Sequence, residues 1–264
     1  MNPRKYLALA KTAIKSNLAY AGEVAGRTFF LAIVLYIFLK LWEATYHNSG
    51  SATMAGLTLA QMLWYMTLTE SIVISGPRMS PEIDQDVRTG SLAIQLVRPL
   101  SYPLYRMATY LGERLVRFVT TFGVGAVLAC LMVGPLSVSP QTVLYVVPAV
   151  ALAFVLDFIG NLLVGLGAFW MEDTSGLTLL YSRVTMVFGG MLIPMQMFPE
   201  QVQPFLLALP FPYILYGPAR LLVNPDAGDA LNIVLHQALW IAVGSAFLAF
   251  VYSRAMKRVF SNGG

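Results

Sequence analysis

Residues 76–117 read GPRMSPEIDQDVRTGSLAIQLVRPLSYPLYRMATYLGERLVR and are the most informative part of the chain. They carry six of the seventeen Lys and Arg residues and four of the thirteen acids, and long apolar runs flank them on both sides. The whole chain is 57% hydrophobic and only 11% charged, whereas a soluble domain has about 25% charged residues. This composition is typical of a membrane protein. We therefore expect residues 76–117 to lie outside the hydrocarbon, as the main cytoplasmic surface.

The apolar runs predict an all-α membrane protein with six transmembrane helices, because about 20 apolar residues in a helix cross a bilayer. The 264 residues leave room for a single transmembrane domain, residues 1–264. The predicted spans are residues 27–46, 54–75, 118–135 and 142–169, a fifth that ends near residue 194, and residues 230–252.

The Lys and Arg residues predict the orientation of these spans. With the N-terminus in the cytoplasm, fifteen of the seventeen fall on the cytoplasmic side, and only Lys40 and Arg220 fall on the other. Positively charged residues prefer cytoplasmic loops. Both termini are therefore predicted to be cytoplasmic, in a multi-pass protein of the cell (inner) membrane.

Two segments fit no span. Residues 1–26 are predicted to form an interfacial helix, because Arg4, Lys11 and Lys15 share a helical face beside an apolar stripe; a solvated helix is the alternative. Residues 195–222 are apolar but contain five prolines. A proline inside a helix costs about 3 kcal/mol, so these residues are predicted to form short re-entrant or external helices rather than a seventh span.

Within the charged stretch, residues 81–86 predict the start of a short helix, since acids in the first turn favour the helix dipole. Gly90 can end this helix, and residues 91–97 predict a second short helix or an extended piece. A short amphipathic helix parallel to the membrane can enter a cleft on a soluble partner and pass its movement to spans two and three. The alternative is an ordinary charged loop that only sets topology, and the residue pattern alone does not decide between them.

Polar residues inside the predicted spans are candidates for a translocation path or a seam between subunits. Asp157 lies near the middle of span four, where an acid costs about 2.5 to 3.5 kcal/mol and must face protein or water. Asn161 lies one turn later on the same face, and Glu70 lies in the last turns of span two. Met191 and Met195 could add an adaptable apolar lining. The alternative is a hydrogen bond that fixes helix packing, with the methionines as ordinary core residues.

Several motifs of enzymes and binding proteins are missing from the sequence. It contains no G-x-x-x-x-G-K-[ST], G-x-G-x-x-G, H-E-x-x-H or G-x-S-x-G pattern. His47 and His236 lie far apart in different settings, and no aromatic-interleaved basic patch predicts nucleic-acid binding. No catalytic residue and no metal ligand is predicted.

Two groups of residues resemble a known family. They are Glu82-Ile83, Gly90-Ser91-Leu92 and residues 96–106 in the charged stretch, then residues 189–194, Phe198-Pro199, Leu209-Pro210-Phe211 and Tyr216-Gly217-Pro218-Ala219. In order and spacing they resemble bacterial ABC exporter permeases of the second exporter class, in particular a six-span branch labelled uncharacterised or daunorubicin-type. The resemblance spans nearly the whole chain.

The resemblance implies that a coupling region on the cytoplasmic side contacts a separate ABC ATPase. The implied coupling residues are Pro81, Glu82, Ile83, Asp84, Asp86, Arg88 and Gly90. Two ATPase copies would hold ATP and Mg²⁺, so this chain is expected to bind no cofactor itself. A second copy or a sister permease completes the transporter, with membrane lipids around it. An amphipathic or hydrophobic substrate would leave the cytoplasm or inner leaflet past an external gate at Pro199, Pro210, Phe211 and Pro212.

Two other functions remain open at this point. One is a membrane-embedded enzyme that acts on lipid, using Asp157, Glu70 or a histidine. The other is a non-catalytic membrane anchor for a cytosolic protein. Activity of the purified chain without ATP favours the first, and binding without ATP-dependent flux favours the second.

Overall fold

The computed structural model describes Thr12, residues 21–96 and residues 100–261. Most of the predicted interfacial helix, residues 1–26, therefore lies outside the described residues. In the described part the chain is helical, with no strand beyond one isolated bridge between Met54 and Leu57. The helices are α1 Ala21–Ser49, α2 Leu59–Ile74, α3 Met79–Arg88, α4 Ser91–Leu96, α5 Tyr102–Val133, α6 Pro140–Leu166, α7 Ser175–Phe188, α8 Gln203–Leu207, α9 Tyr216–Val223 and α10 Ala227–Ser261. The all-α prediction is confirmed.

Four of the described helices are long and apolar enough to cross a membrane. They are Gly26–Ser49, Tyr102–Val133, Pro140–Phe169 and Ala227–Arg258, and they correspond to the first, third, fourth and sixth predicted spans. The helices at the second and fifth predicted spans are shorter, with 16 residues in α2 and 14 in α7. At 1.5 Å per residue these reach about 24 Å and 21 Å, less than the roughly 30 Å hydrocarbon core. The count of six spans therefore stays a prediction.

The helix ends follow from local sequence. Capping boxes open α2, with Thr58 and Gln61, and α6, with Ser139 and Thr142. Gly90 follows α3 with φ +72°, a left-handed conformation that glycine adopts without strain. Gly90 therefore ends the short helix and allows α4 to begin at once, as the sequence predicts.

Two helices organise the packing. All of residues 62–72 in α2 are buried, and α2 packs against α1, α5 and α9. The other central helix, α6, packs against α10, α3 and α9. Large apolar side chains on the outer faces are exposed instead, for example Phe29, Leu131 and Phe247. Such a surface is stable next to lipid or a second apolar subunit, but not in water.

One expectation about the charged stretch is wrong. Residues 102–117 were expected on a solvated surface, with span three beginning at residue 118. Instead α5 is a single helix from Tyr102 onward, and Arg114 inside it is only 1% exposed. Arg114 lies four residues before a long apolar run. Hydropathy alone does not reveal that its charged side chain is buried inside the protein.

The proline-rich segment is broken into short pieces, as its five prolines predict. Residues 195–222 contain two 3₁₀ turns, Met195–Met197 and Phe211–Tyr213, together with α8 and most of α9. Residues 212–219 are all buried. This segment packs on the bundle through α9, which contacts α2 and α6.

Candidate functional site

The short helix α3 is amphipathic and is anchored by one isoleucine. Met79, Ser80 and Ile83 are buried, whereas Pro81 and Glu82 are exposed. Ile83 is 0% exposed and lies against Gly165 of α6. A Cβ built on that glycine would lie 2.8 Å from the Ile83 Cβ, closer than two carbons tolerate. The absence of a side chain at residue 165 therefore lets α3 seat directly on the end of α6.

Arg106 at the start of α5 ties together the charges of α3. It forms ion pairs with Asp86 and, at 3.2 Å, with Glu82. Asp86 also accepts hydrogen bonds from Ser91 Oγ at 2.9 Å and Gln95 Nε2 at 3.0 Å, so α3, α4 and α5 share one polar network. Partial burial raises the pKa of the Glu82 carboxyl, although the Arg106 guanidinium opposes this shift.

A second set of ion pairs joins α3 to the loop before α7. Arg88 pairs with Asp84 at 2.8 Å and with Asp173 at 3.5 Å. The side-chain hydroxyl and backbone N–H of Ser175 hold the pKa of the exposed Asp173 carboxyl below its usual value. Among the predicted coupling residues, the two aspartates are half-buried in internal pairs, whereas Pro81 and Glu82 are exposed on the outer face, with Glu82 beside Arg106.

A buried polar cluster around Asp157 lies behind α3. We call Asp157, Arg114, Tyr110, Tyr181 and Asn161 the Asp157 cluster. Asp157 forms an ion pair with Arg114, and its two oxygens accept hydrogen bonds at 2.8 Å from Tyr110 and Tyr181 and at 3.1 Å from Asn161. The shared face of Asp157 and Asn161 is confirmed. Since a buried charge without partners is very unfavourable, these donors explain how an acid is tolerated here.

The Asp157 cluster connects five helices. Asp157 and Asn161 belong to α6, Arg114 to α5 and Tyr181 to α7. Arg114 Nη2 donates to the backbone oxygen of Ile72 in α2 at 3.1 Å. Ser80 Oγ in α3 donates to the backbone oxygen and to Oδ1 of Asn161, at 2.9 and 3.1 Å. Ser80 is therefore a direct hydrogen-bonded link between α3 and the Asp157 cluster.

A cavity of about 210 Å³ adjoins the cluster. It is lined by Arg114, Asp157 and Asn161, by residues of α2 and α7, and by Ile214 and Leu215 just before α9. Three buried polar atoms of lining residues have no hydrogen-bond partner within the described chain: Arg114 Nε, Thr178 Oγ1 and Thr185 Oγ1. Buried polar atoms are normally paired. The cavity is therefore suited to hold water or a small polar group next to the ion pair.

The other predicted site residues lie apart from this cluster. Glu70 is buried in α2, and no described residue donates a hydrogen bond to it. Met191 and Met195 are buried in the larger core. Of the predicted gate residues, Pro199 is exposed, Pro210 and Phe211 are half-buried and Pro212 is buried. The Phe211 ring contacts that of Tyr181, with centroids 6.3 Å apart. This contact links residues 195–222, the predicted gate segment, to the Asp157 cluster.

Sequence reasoning missed four residues of this arrangement: Ser80, Tyr110, Arg114 and Tyr181. A signal for two of them exists, because Tyr110 and Arg114 are four residues apart and share a helical face if the helix begins before residue 118. The pairing with Asp157, 43 residues away, leaves no local signal. Among the described residues, no three His, Cys, Asp or Glu side chains are grouped closely enough to hold a metal ion.

Comparison with known proteins gives one result that covers most of the chain. The model of the family described as ABC-2 family transporter protein matches residues 30–263. A comparison with curated proteins found no match. Proteins of the ABC-2 family are generally non-catalytic transmembrane subunits that work with an ABC ATPase. With its apolar helices and this match, the chain is a membrane-embedded permease that belongs to the ABC-2 transporter family.

Proposed function

We propose that this chain is the permease subunit of an ATP-driven exporter and that α3 is its coupling helix. The observation that carries the proposal is the continuous set of contacts from α3 to the Asp157 cluster. Pro81 and Glu82 lie on the exposed face of α3, while Ile83 and Ser80 on its other face reach α6. This division suits a helix that touches a soluble motor on one side and the membrane bundle on the other.

The proposed topology has six spans with both termini in the cytoplasm. The short helix α2 can serve as the second span although it falls below the length of the bilayer core, because its residues are buried by neighbouring helices instead of lipid. The fifth span begins with α7 and continues through the non-helical residues 189–194, which protein can shield. Residues 195–222 then lie outside, at the exit.

The proposed transmission starts when two ATPase copies bind ATP and close. Their movement displaces α3, and the Ile83 contact and the Ser80–Asn161 hydrogen bond pass it to α6. The hydroxyl of Tyr181 carries the movement to α7, and its ring contact with Phe211 carries it to the gate segment. Asp157 and Asn161 would line or steer the path, and Gly90 gives α3 the freedom to move relative to α4.

The exposed apolar faces of α1, α5 and α10 support a transporter built from two permeases. A second copy or a sister permease can cover one of these faces, and lipid covers the rest. A pathway between such faces fits an amphipathic or hydrophobic substrate drawn from the cytoplasm or inner leaflet.

The contacts of Asp157 argue against this residue as the catalytic group of a lipid-modifying enzyme. A carboxylate has about four acceptor positions, and Asp157 already accepts hydrogen bonds from four side chains, those of Arg114, Tyr110, Tyr181 and Asn161. It therefore has no position left for a substrate proton, and it is better suited to hold helices together.

The experiment that tests the proposal uses charge reversal on the exposed face of α3. We expect Glu82→Lys to reduce retention of the cognate ABC ATPase on the tagged chain about tenfold or more, because an interfacial charge of the wrong sign repels its partner. Glu82→Gln should give an intermediate loss. Glu200→Lys, at an exposed glutamate in the gate segment, is the matched control.

The thermal stability of each variant is measured beside ATPase retention and ATP-dependent transport. Equal ATPase retention by Glu82→Lys and Glu200→Lys, in folded protein, would show that α3 is not the docking helix. ATPase retention with no ATP-dependent flux would favour the membrane anchor.

A further inference from the structure

A groove of about 760 Å³ lies between the C-terminal ends of α6 and α10, away from the Asp157 cluster. Its walls are apolar and aromatic and include Leu163, Phe247, Phe250, Val251 and Trp170. Its rim carries three cations, Arg254, Lys257 and Arg258. Among the described residues that line it, none is acidic. The groove is thus apolar at one end and strongly positive at the other.

Aromatic rings hold two of the cations at the mouth of this groove. The Arg254 guanidinium lies over the Phe250 ring, 5.3 Å from its centroid, and that of Arg258 lies over Trp170 at the same distance. Arg258 Nη1 also donates to the backbone oxygen of Phe169 at 2.7 Å. These contacts orient both guanidinium groups at the rim, and the Arg254 guanidinium, with five donors, can also bind an anion there.

The depth of the groove in the membrane follows from α10. The candidate span Ala227–Arg258 ends in the three cations, which places them at the level of the phospholipid headgroups. Phe247 lies seven residues earlier than Arg254, about 10 Å deeper in the hydrocarbon. Phe247 and Phe250 are each more than half exposed, so the apolar wall faces outward.

We propose that this groove binds one anionic phospholipid. Its phosphate lies between Arg254, Lys257 and Arg258, and an acyl chain lies along Phe247 and Phe250. The charge of the rim selects the ligand. The described lining of the groove holds three cations and no acid, so it attracts a headgroup with net negative charge more strongly than a zwitterionic one. Basic pockets between membrane helices bind such headgroups in general. The proposal depends on membrane embedding alone and does not require ATPase coupling or transport.

The test is a lipid titration of the purified full chain, with bound lipid counted by native mass spectrometry. Wild-type chain should retain one phosphatidylglycerol more tightly than phosphatidylcholine. Each cation near an anionic headgroup contributes about fivefold in affinity. We therefore expect Arg254→Gln with Lys257→Gln to weaken phosphatidylglycerol binding about 30-fold and to leave phosphatidylcholine unchanged.

The matched control removes the same charge elsewhere. Lys40→Gln with Arg183→Gln neutralises two exposed cations that do not line the groove, and it should leave lipid retention unchanged. An equal loss in both double variants, or equal wild-type affinity for the two lipids, would overturn the proposal. The proposal would also be overturned if the wild-type chain retained a second copy of itself instead of lipid, and if Arg254→Gln with Lys257→Gln lost that second copy.

A third variant tests the apolar half of the site. Phe250→Ala keeps Lys257 and Arg258 but removes the wall against which the acyl chain packs, and it should weaken phosphatidylglycerol binding about tenfold. Binding of soluble glycerol phosphate should not change. If Phe250→Ala leaves phosphatidylglycerol binding unchanged, the groove recognises a free phosphate group and not a lipid.

Discussion

Two clusters in this molecule have the same chemistry in different surroundings. One is the Tyr110–Arg114–Asp157 part of the Asp157 cluster, and the other, which we call the Asp229 cluster, consists of Tyr216, Arg220 and Asp229. In each, a tyrosine precedes an arginine by four residues on one helix and the arginine reaches an aspartate on another. The arginine and aspartate are 1% and 12% exposed in the first cluster, but 29% and 31% exposed in the second.

This difference in exposure decides what each cluster does for the fold. In a partly exposed ion pair, each charged group can be solvated by water when its partner is absent, so the pair contributes about 0 to 1 kcal/mol to stability. A buried ion pair contributes little against an apolar replacement, yet removal of one partner leaves a charge that neither water nor protein compensates. Pairing is therefore obligatory in the Asp157 cluster and optional in the Asp229 cluster.

The largest expected effect comes from removal of one buried partner. Asp157→Ala leaves the Arg114 guanidinium buried without its carboxylate, and we expect the free energy of unfolding to fall by about 3 to 5 kcal/mol. The same change in the other cluster, Asp229→Ala, should cost about 1 kcal/mol or less. Thermal unfolding of the purified chain in detergent measures both. Similar losses in the two variants would remove the distinction between the clusters.

A paired replacement separates stability from function. Arg114→Met with Asp157→Leu removes both charges at once and should restore part of the stability that Asp157→Ala loses, because no unpaired charge stays buried. Restoration is incomplete because Tyr110, Tyr181 and Asn161 still lack the carboxylate as acceptor. If the cluster transmits the movement of α3, ATP-dependent transport stays lost in this partly restored double variant. Transport at the wild-type level would show that the cluster only holds the bundle together.

The sequence predicts the local features of the Asp157 cluster but not its assembly. An acid in a long apolar run must be compensated, and Asn161 one turn away is an evident neighbour, so both were identified. The charged stretch predicts a solvated position for Arg114, and its partner, 43 residues away, leaves no local sign that it is buried. Local periodicity reveals helices and their faces, whereas a contact between distant helices depends on packing that no short pattern encodes.

The same limit applies to the spans and to the Asp229 cluster. Hydropathy identified the four long helices, and prolines identified the broken segment. Hydropathy does not show that α2 has only 16 residues, because a helix shielded by protein is as apolar as one that faces lipid. The sequence marks Arg220 only as an exception to the positive-inside rule, because its partner Asp229 lies on the next helix.

A smaller effect is expected from the glycines that border the two clusters. Gly165→Ala brings a methyl group within 2.8 Å of the Ile83 Cβ, an atom close to the α3 backbone that cannot rotate away. We expect a loss of about 1 to 3 kcal/mol in stability and weaker ATPase retention, because α3 is displaced. Ile83→Ala beside Gly165→Ala removes the Cδ1 and Cγ2 contacts at 3.1 Å but keeps the Cβ, so it should rescue little of the loss.

Gly217→Ala is the matched change next to Tyr216. Its new methyl group would approach Ile233 Cγ2, at 2.9 Å, which is an outer atom of a side chain. Since a side chain adjusts at lower cost than a helix backbone, the loss in stability should be smaller than for Gly165→Ala, and ATPase retention should not change. Gly123→Ala, where a Cβ meets nothing within 4 Å, measures the effect of the substitution itself.

The smallest effect, and the one that isolates solvent exposure, is the response of the two ion pairs to salt. Salt screens a half-exposed pair but hardly reaches a buried one, because the Debye length falls from about 10 Å at 0.1 M to about 3 Å at 1 M. The stability difference between wild type and Asp229→Ala should therefore shrink toward zero at 1 M NaCl. The difference for Asp157→Ala should stay the same within error, because Arg114 is only 1% exposed. If the stability loss of Asp157→Ala shrinks equally with salt, water and ions reach the Asp157 cluster through the adjoining cavity. The pairing of Arg114 with Asp157 would then be no more necessary for stability than that of Arg220 with Asp229.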